Sequence, residues 1–217
     1  MAILSTRLIS FHAVESTSNF SKLTELRVHK LERNAYNFIH GTFGREQGRS
    51  EQICVQSVDG ALYFINDEHI LFKIQLADYL VPGPMLYAQD IDSVVIANSN
   101  MEIECYNYHS MKAFTNNDLE RQKESQAKEE LKSKMDPEWA TNIGEQARQM
   151  RFHPNRYSKQ NDIVVLGEQT LFVLGEHGGG IRFQKRYSFT PSCFIAYNLQ
   201  TPGADLYVPP DQSRDQV

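Results

Sequence analysis

The chain has 217 residues, of which 41% are hydrophobic and 23% charged, and a formal net charge of −5. That length allows one large domain or two small ones around a sizeable core, and the acidic balance speaks against a general nucleic-acid binder, which needs a basic face to meet phosphates. No apolar run reaches the roughly 20 residues of a membrane-spanning helix, and Met1 to Arg7 lacks the layout of a secretory signal.

In chain order, Ala2-Ile3-Leu4 is apolar from the outset and Leu8 to Val14 reads as a strand after a Ser5-Thr6-Arg7 turn. A domain seldom begins inside a hairpin, so Met1 is expected to open a truncated chain. Glu25 to Leu31 and Tyr36 to Phe43 follow as strands, and a loop from Gly44 to Ser50 carries Arg45 and Arg49. Gln52 to Asn66 holds two β-rich runs around Asp59-Gly60, a pair suited to the positive φ angles of a type I′ hairpin turn. His69 to Ala77 alternates as a half-buried strand with Lys73 and Gln75 facing water. Pro82-Gly83-Pro84 breaks the chain before the short strand Met85 to Ala88.

Val94 to Ala97 and Met101 to Tyr108 form a second hairpin around Asn98-Ser99-Asn100. Asp118 to Met135 has no β-branched residue; Glu124/Lys128 and Glu130/Lys134 pair at helical spacing, with only Leu119, Ala127, Leu131 and Met135 apolar. It is expected to be a solvated helix or insertion, spanning about 116–137 and ending at Asp136-Pro137. Trp139 to Ile143 and Gln146 to Phe152 are strands, and Ile163 to Leu166 with Leu171 to Leu174 form a third clear hairpin. Ile181 to Tyr187 and Pro191 to Tyr197 complete the strands, and 201–217 is a polar tail.

The hairpins recur. Ile53 and Val94 start 41 positions apart. Val94 and Ile163 return to about 40 to 50 once an insertion of about 25 to 30 residues is removed, a spacing typical of propeller blades. Each hairpin has one strand before it and one after. The fold expected is therefore all-β, a partial β-propeller of about three to four four-stranded blades over 1–200 with one charged helical insertion. An incomplete ring leaves apolar faces and strand edges uncovered, and poor solubility in isolation is expected.

Several motifs occur in order: Gly41-Thr42-Phe43-Gly44, Ile53-Cys54-Val55-Gln56-Ser57-Val58-Asp59-Gly60, Leu80-Val81-Pro82-Gly83-Pro84, Asn142-Ile143-Gly144-Glu145-Gln146-Ala147, Val165-Leu166-Gly167-Glu168 and Pro191-Ser192-Cys193-Phe194. From about Ile3 to Phe194 the chain resembles the amino-terminal propeller of the Bardet–Biedl syndrome subunit nine family; beyond about Asn198 the likeness stops. The resemblance implies a non-enzymatic scaffold subunit of the BBSome, a coat-like complex that moves membrane proteins to and from cilia. It implies other BBSome subunits as partners, with an Arf-like small GTPase and membrane-protein cargo reached indirectly, and no nucleic acid. The implied location is the cytoplasm, the cilium and its base (basal body and centriolar region), and the ciliary membrane periphery. Members of this family are several times longer, so the chain reads as a fragment or short isoform.

The residues offer little chemistry. Cys54, Cys105 and Cys193 each lie in a β-like apolar run and are expected to be buried and reduced. Histidines 12, 29, 40, 69, 109, 153 and 177 show no metal-ligand spacing, so no metal or cofactor is expected. His177-Gly178-Gly179-Gly180 has the shape of a lipase oxyanion loop without a Gly-x-Ser-x-Gly elbow, and is taken as a flexible blade turn. Asp90 and Asp92 are taken as a solvated turn, and Asn19-Phe20-Ser21 as a chance glycosylation pattern. Arg45, Arg49, Arg182, Lys185 and Arg186 are candidate contacts for anions, with solvated strand ends the favoured reading. No catalytic residue is assigned. The rival functions are a propeller hydrolase or lyase with its site at the central channel, and a membrane-headgroup-binding module.

Overall fold

The computed structural model describes residues 1–16, 20–44, 51–76, 83–124, 135–154, 160–196 and 206–207, with 118–124, 196 and 206–207 described by backbone alone. Arg45, Arg49, the Leu80-Val81-Pro82 motif, both helical ion pairs and most of the tail lie outside these residues.

The expected bladed, all-β architecture is present. Sheet 1 contains β1 (Ala2–Leu4), β2 (Leu8–Ser16) and β3 (Ser21–Lys30). Sheet 2 contains β4 (Ala35–Gly41), β5 (Gln52–Ser57), β6 (Ala61–Ile65) and β7 (Ile70–Gln75). Sheet 3 contains β8 (Met85–Ala88), β9 (Ser93–Ala97), β10 (Glu102–Asn107) and β11 (Trp139–Asn142). Sheet 4 contains β12 (Gln149–Pro154), β13 (Asn161–Leu166), β14 (Thr170–Gly175) and β15 (Ile181–Arg186), and β16 (Ile195–Ala196) pairs with β17 (Leu206–Tyr207) in sheet 5. Every pairing is antiparallel between chain neighbours. β8 lies against both β4 and β12, which puts the first strand of each blade inside and the last outside. β3, like β7 and β11, is the last strand before the next sheet, so sheet 1 holds the second to fourth positions of a blade.

The central strands are continuously apolar because each feeds two cores. Ile53 and Val55 pack toward Ile9 and Leu31, while Cys54 between them packs toward Val94 and Ile96. Val95 and Ala97 turn the other way, onto Ile163 and Val165. Val164 and Leu166 turn in their turn toward Phe194. Period-two geometry thus places successive side chains in the gaps on either side of a blade, and both faces stay dry.

Two expectations need correcting here. Gly60 alone in the Asp59-Gly60 turn has positive φ, +86°, and its N–H reaches Ser57 O at 3.3 Å. That excludes a type I′ turn, which needs positive φ at both centres, and leaves a longer loop closed by Gly60. Ser57 Oγ braces it, donating to Asp59 Oδ1 at 2.6 Å and accepting Ala61 N–H at 2.8 Å. Cys54 and Cys105 are buried as expected, whereas Cys193 is exposed, because Pro191 to Phe194 form no strand. Burial pushes the Cys54 thiol far up and the Cys105 thiol to about 12.

The helix, α1 (Tyr108–Glu124), starts ten positions before the charged run that suggested it. Asn107 caps it: its Oδ1 accepts the N–H groups of His109 at 3.0 Å and Ser110 at 3.2 Å. An Asn at this position satisfies orphan donors of the first turn and ends β10 at the same time. Tyr108 and Met111 are buried and Phe114 packs beside them, so the first turns belong to the core between sheets 2 and 3. Tyr108 meets Phe43, Phe64 and Phe72 at ring-centroid distances of 6.0, 5.2 and 5.5 Å.

Asp92 joins the same two sheets. It is 4% exposed and left-handed at φ 49°, not a solvated turn residue. Its carboxylate accepts Gly44 N–H at 3.1 Å and the Tyr87 hydroxyl at 2.8 Å, with His109 Nε2 at 3.4 Å. Its carbonyl accepts Tyr108 N–H at 3.0 Å. Asp90, two positions away, is exposed and accepts from Asn161 of sheet 4 at 2.7 Å. Asp92→Ala strands a buried N–H and a hydroxyl and is expected to cost about 2–4 kcal/mol, read as a lowered denaturant midpoint.

Candidate interaction surface

Of the basic candidates, Arg182, Lys185 and Arg186 come together on β15, the outer strand of sheet 4. All six residues of β15 are exposed, including Ile181 at 43% and Phe183 at 53%. Arg182 is committed to an ion pair with the buried Asp162, and Arg186 donates to Gln169 Oε1 at 3.0 Å. The Lys185 side chain makes no ion pair or hydrogen bond among the described residues. Tyr187 N–H donates to Gln169 O at 2.8 Å, which fixes the parity of the strand. Phe183, Lys185 and Tyr187 turn their backbone groups toward β14, and Gln184 and Arg186 turn theirs outward. Phe183 and Lys185 stand opposite Val173 and Leu171, and Gln184 and Arg186 opposite Phe172 and Thr170.

Three contacts hold this strand's sheet against its neighbours. The His177–Gly180 segment is a turn between β14 and β15, and it is held rather than loose. Gly179 N–H donates to Gly175 O at 3.0 Å, Thr141 Oγ1 donates to Gly179 O at 2.6 Å, and Trp139 Nε1 donates to Glu176 O at 3.1 Å. Gly179 has φ +67° and lies so close to the Trp139 ring that a Cβ there has no room. The second contact is Glu145, between β11 and β12. Its carboxylate accepts Gln169 N–H at 2.9 Å, Thr170 N–H at 3.0 Å and Thr170 Oγ1 at 2.7 Å, tying down the turn of the β13–β14 hairpin. The third is Gln149, whose side-chain amide donates to Phe194 O at 3.0 Å and accepts Phe194 N–H at 2.9 Å.

A second exposed region is the face of sheet 1 turned away from sheet 2, where Leu8, Val14, Leu23 and Leu26 are uncovered. Ser10 Oγ lies 2.8 Å from His12 Nε2, two positions along β2, a Ser–His contact not anticipated from the sequence. No carboxylate orients His12 among the described residues, so the nucleophile–base–acid relay of acyl transfer is not assembled there. No group of three potential metal ligands occurs among the described residues, and no described helix is long and apolar enough to cross a membrane.

Gly179→Ala forces a side chain into left-handed backbone and against Trp139. The expected loss is at least about 1–2 kcal/mol, checked by chemical denaturation. The half-buried Glu145 and the buried Glu176 should differ in pH dependence. Burial works to raise the Glu145 carboxyl, but the hydrogen bonds from Gln169 and Thr170 outweigh it and hold the pKa below 4.5. That contact contributes stability above the ordinary carboxylate range and loses it as pH falls through the lowered value. Glu145→Gln should therefore lower the melting temperature near neutrality, and the difference from wild type should shrink as pH falls below the ordinary carboxylate range. For Glu176, burial first and the nearby Asp90 charge second raise the pKa. Its charged form opposes folding as pH rises, so Glu176→Gln should raise neutral-pH stability in the same melts.

Comparison with known proteins agrees with this architecture. The family model for the PTHB1 N-terminal region matches residues 1–206, reaching past the point where motif likeness ends. Protein PTHB1 of Xenopus laevis is 34% identical over 212 residues, covering 94% of this chain and 24% of that protein. Human Protein PTHB1 is 33% identical over 203 residues, covering 91% and 22%. The chain thus spans less than a quarter of the length of these relatives. Among solved structures, BBS1N in complex with ARL6DN matches with a TM-score of 0.54 at 11% identity, over 91% of this chain and 67% of that one. The WD40 β-propeller domain of Doa1 matches with a TM-score of 0.52 at 8% identity, over 90% and 56%. At these identities the structures show a shared propeller fold and no more. The chain belongs to the PTHB1 N-terminal family.

Proposed function

We propose that this chain supplies propeller blades to a non-enzymatic scaffold, a subunit of a BBSome-type coat that carries membrane proteins to and from cilia. Membership of the PTHB1 family is the observation that carries the reading. The geometry supports it: the polar hubs Asp92, Glu145 and Gln149 are consumed in joining blades, and the residues left over face outward on β15 and sheet 1. Such surfaces act by shape, edge and charge complementarity. The other coat subunits are the direct partners in this reading, with an Arf-like small GTPase and cargo engaged through the assembly. The place of action is the cytoplasm and the cilium, including its base and the periphery of its membrane.

The test is co-isolation of the other coat subunits with the whole protein, with and without the region equivalent to this chain. Deletion should reduce recovery of at least one subunit by several-fold. Unchanged recovery of all of them overturns the assembly role.

A further inference from the structure

We propose that the outer edge of β15 is a docking strand for an extended acidic segment of a partner protein, which joins sheet 4 as a fifth strand. The inference rests on the scaffold reading above and names the chemistry of one of its contacts. Three observations converge on this edge.

The first is hydrogen bonding. β15 ends the sheet order, and the parity fixed by Tyr187 leaves the N–H and C=O groups of Gln184 and Arg186 directed outward. An added strand satisfies such groups with main-chain bonds, and its alternate side chains supply the selectivity.

The second is charge. Ile181 to Tyr187 carries three basic residues and no acid, in a chain of net charge −5. Asp162 neutralises Arg182, but Lys185 and most of the Arg186 guanidinium remain for a ligand. Like charges brought opposite one another are unfavourable, so this edge rejects a second copy of itself and accepts carboxylates. β3, the other long outer strand, mixes Lys22, Arg27 and Lys30 with Glu25 and offers no such single sign.

The third is apolar purchase. Phe183 shares a face with Lys185, and Ile181 is also uncovered. The matching segment places an apolar side chain beside Phe183 and carboxylates beside Lys185 and Arg186.

The experiment measures anisotropy of a fluorescent eight-residue peptide titrated with the whole protein; the peptide carries two adjacent aspartates, which fall on opposite faces beside Lys185 and Arg186, and a valine two positions from one of them, on the face of Phe183. Wild type should bind, with affinity falling as salt rises. Lys185→Glu/Arg186→Glu should weaken binding by about tenfold or more and create binding to the counterpart peptide with lysine in place of each aspartate. Gln184→Pro removes an outward N–H that β14 does not use, and should abolish binding without shifting the melting temperature. If that variant fails to fold, N-methylation of alternate peptide backbone nitrogens asks the same question from the ligand side and should also abolish binding. Binding that survives N-methylation or double charge reversal overturns the proposal, as does binding to phosphatidylserine vesicles without binding to the peptide. Absence of peptide binding by the wild-type protein, with intact co-isolation of the coat subunits, sinks this proposal alone. Peptide binding with co-isolation independent of the region sinks the scaffold reading alone.

Discussion

Everything in this fold depends on the fact that its central strands bury both faces. An ordinary half-buried strand alternates apolar with polar and needs one neighbour; Ile53 to Val55, Val94 to Ala97 and Ile163 to Leu166 do not alternate, and need two. Each sheet is therefore stable only as a slice between others. The strength of that dependence explains the hardware at the joints. Asp92, Glu145 and Gln149 are polar groups spent on fixing how one sheet meets the next, where apolar contact supplies attraction but little direction.

The joints also account for where apolar packing is most specific. Phe43, Tyr87 and Tyr108 meet between sheets 2 and 3 beside the Asp92 carboxylate, so the aromatic cluster and the hydrogen-bonded hub support each other. A helix that begins in such a cluster is anchored at one end. Its later, charged residues ride on a first turn that the core holds in place.

The bladed plan was legible because it rests on periodicity and turn residues, both local in sequence. Hairpins at Asp59-Gly60, Asn98 to Asn100 and Gly167 to Gln169 announced themselves, and so did the spacing between them. The turn type at Gly60 was not legible, since Ser57 Oγ competes for the backbone there and selects a longer loop. Charge density marks only the later part of the helix; its start is signalled by a single capping residue, Asn107, followed by Tyr108, Met111 and Phe114 on one side. Asp92 looked like half of a solvated acidic pair; only the approach of Gly44 from another sheet makes it a buried hub. The motifs behind the family likeness, Gly41 to Gly44, Asn142 to Ala147 and Pro191 to Phe194, turn out to lie at joints between sheets. The basic residues of β15 were visible as a group, but not the open edge that gives them a shared direction.

Trp139 is the sole tryptophan of the chain, and its indole sits in the seam between sheets 3 and 4 with its N–H on a carbonyl of one sheet and its ring rooted in the other. The protein therefore carries a built-in optical gauge of a single joint. Any event that parts these two blades uncovers that ring and changes its emission, while rearrangements confined to sheets 1 and 2 leave it silent. Assembly, partner binding and unfolding can be told apart by whether they pass through this seam.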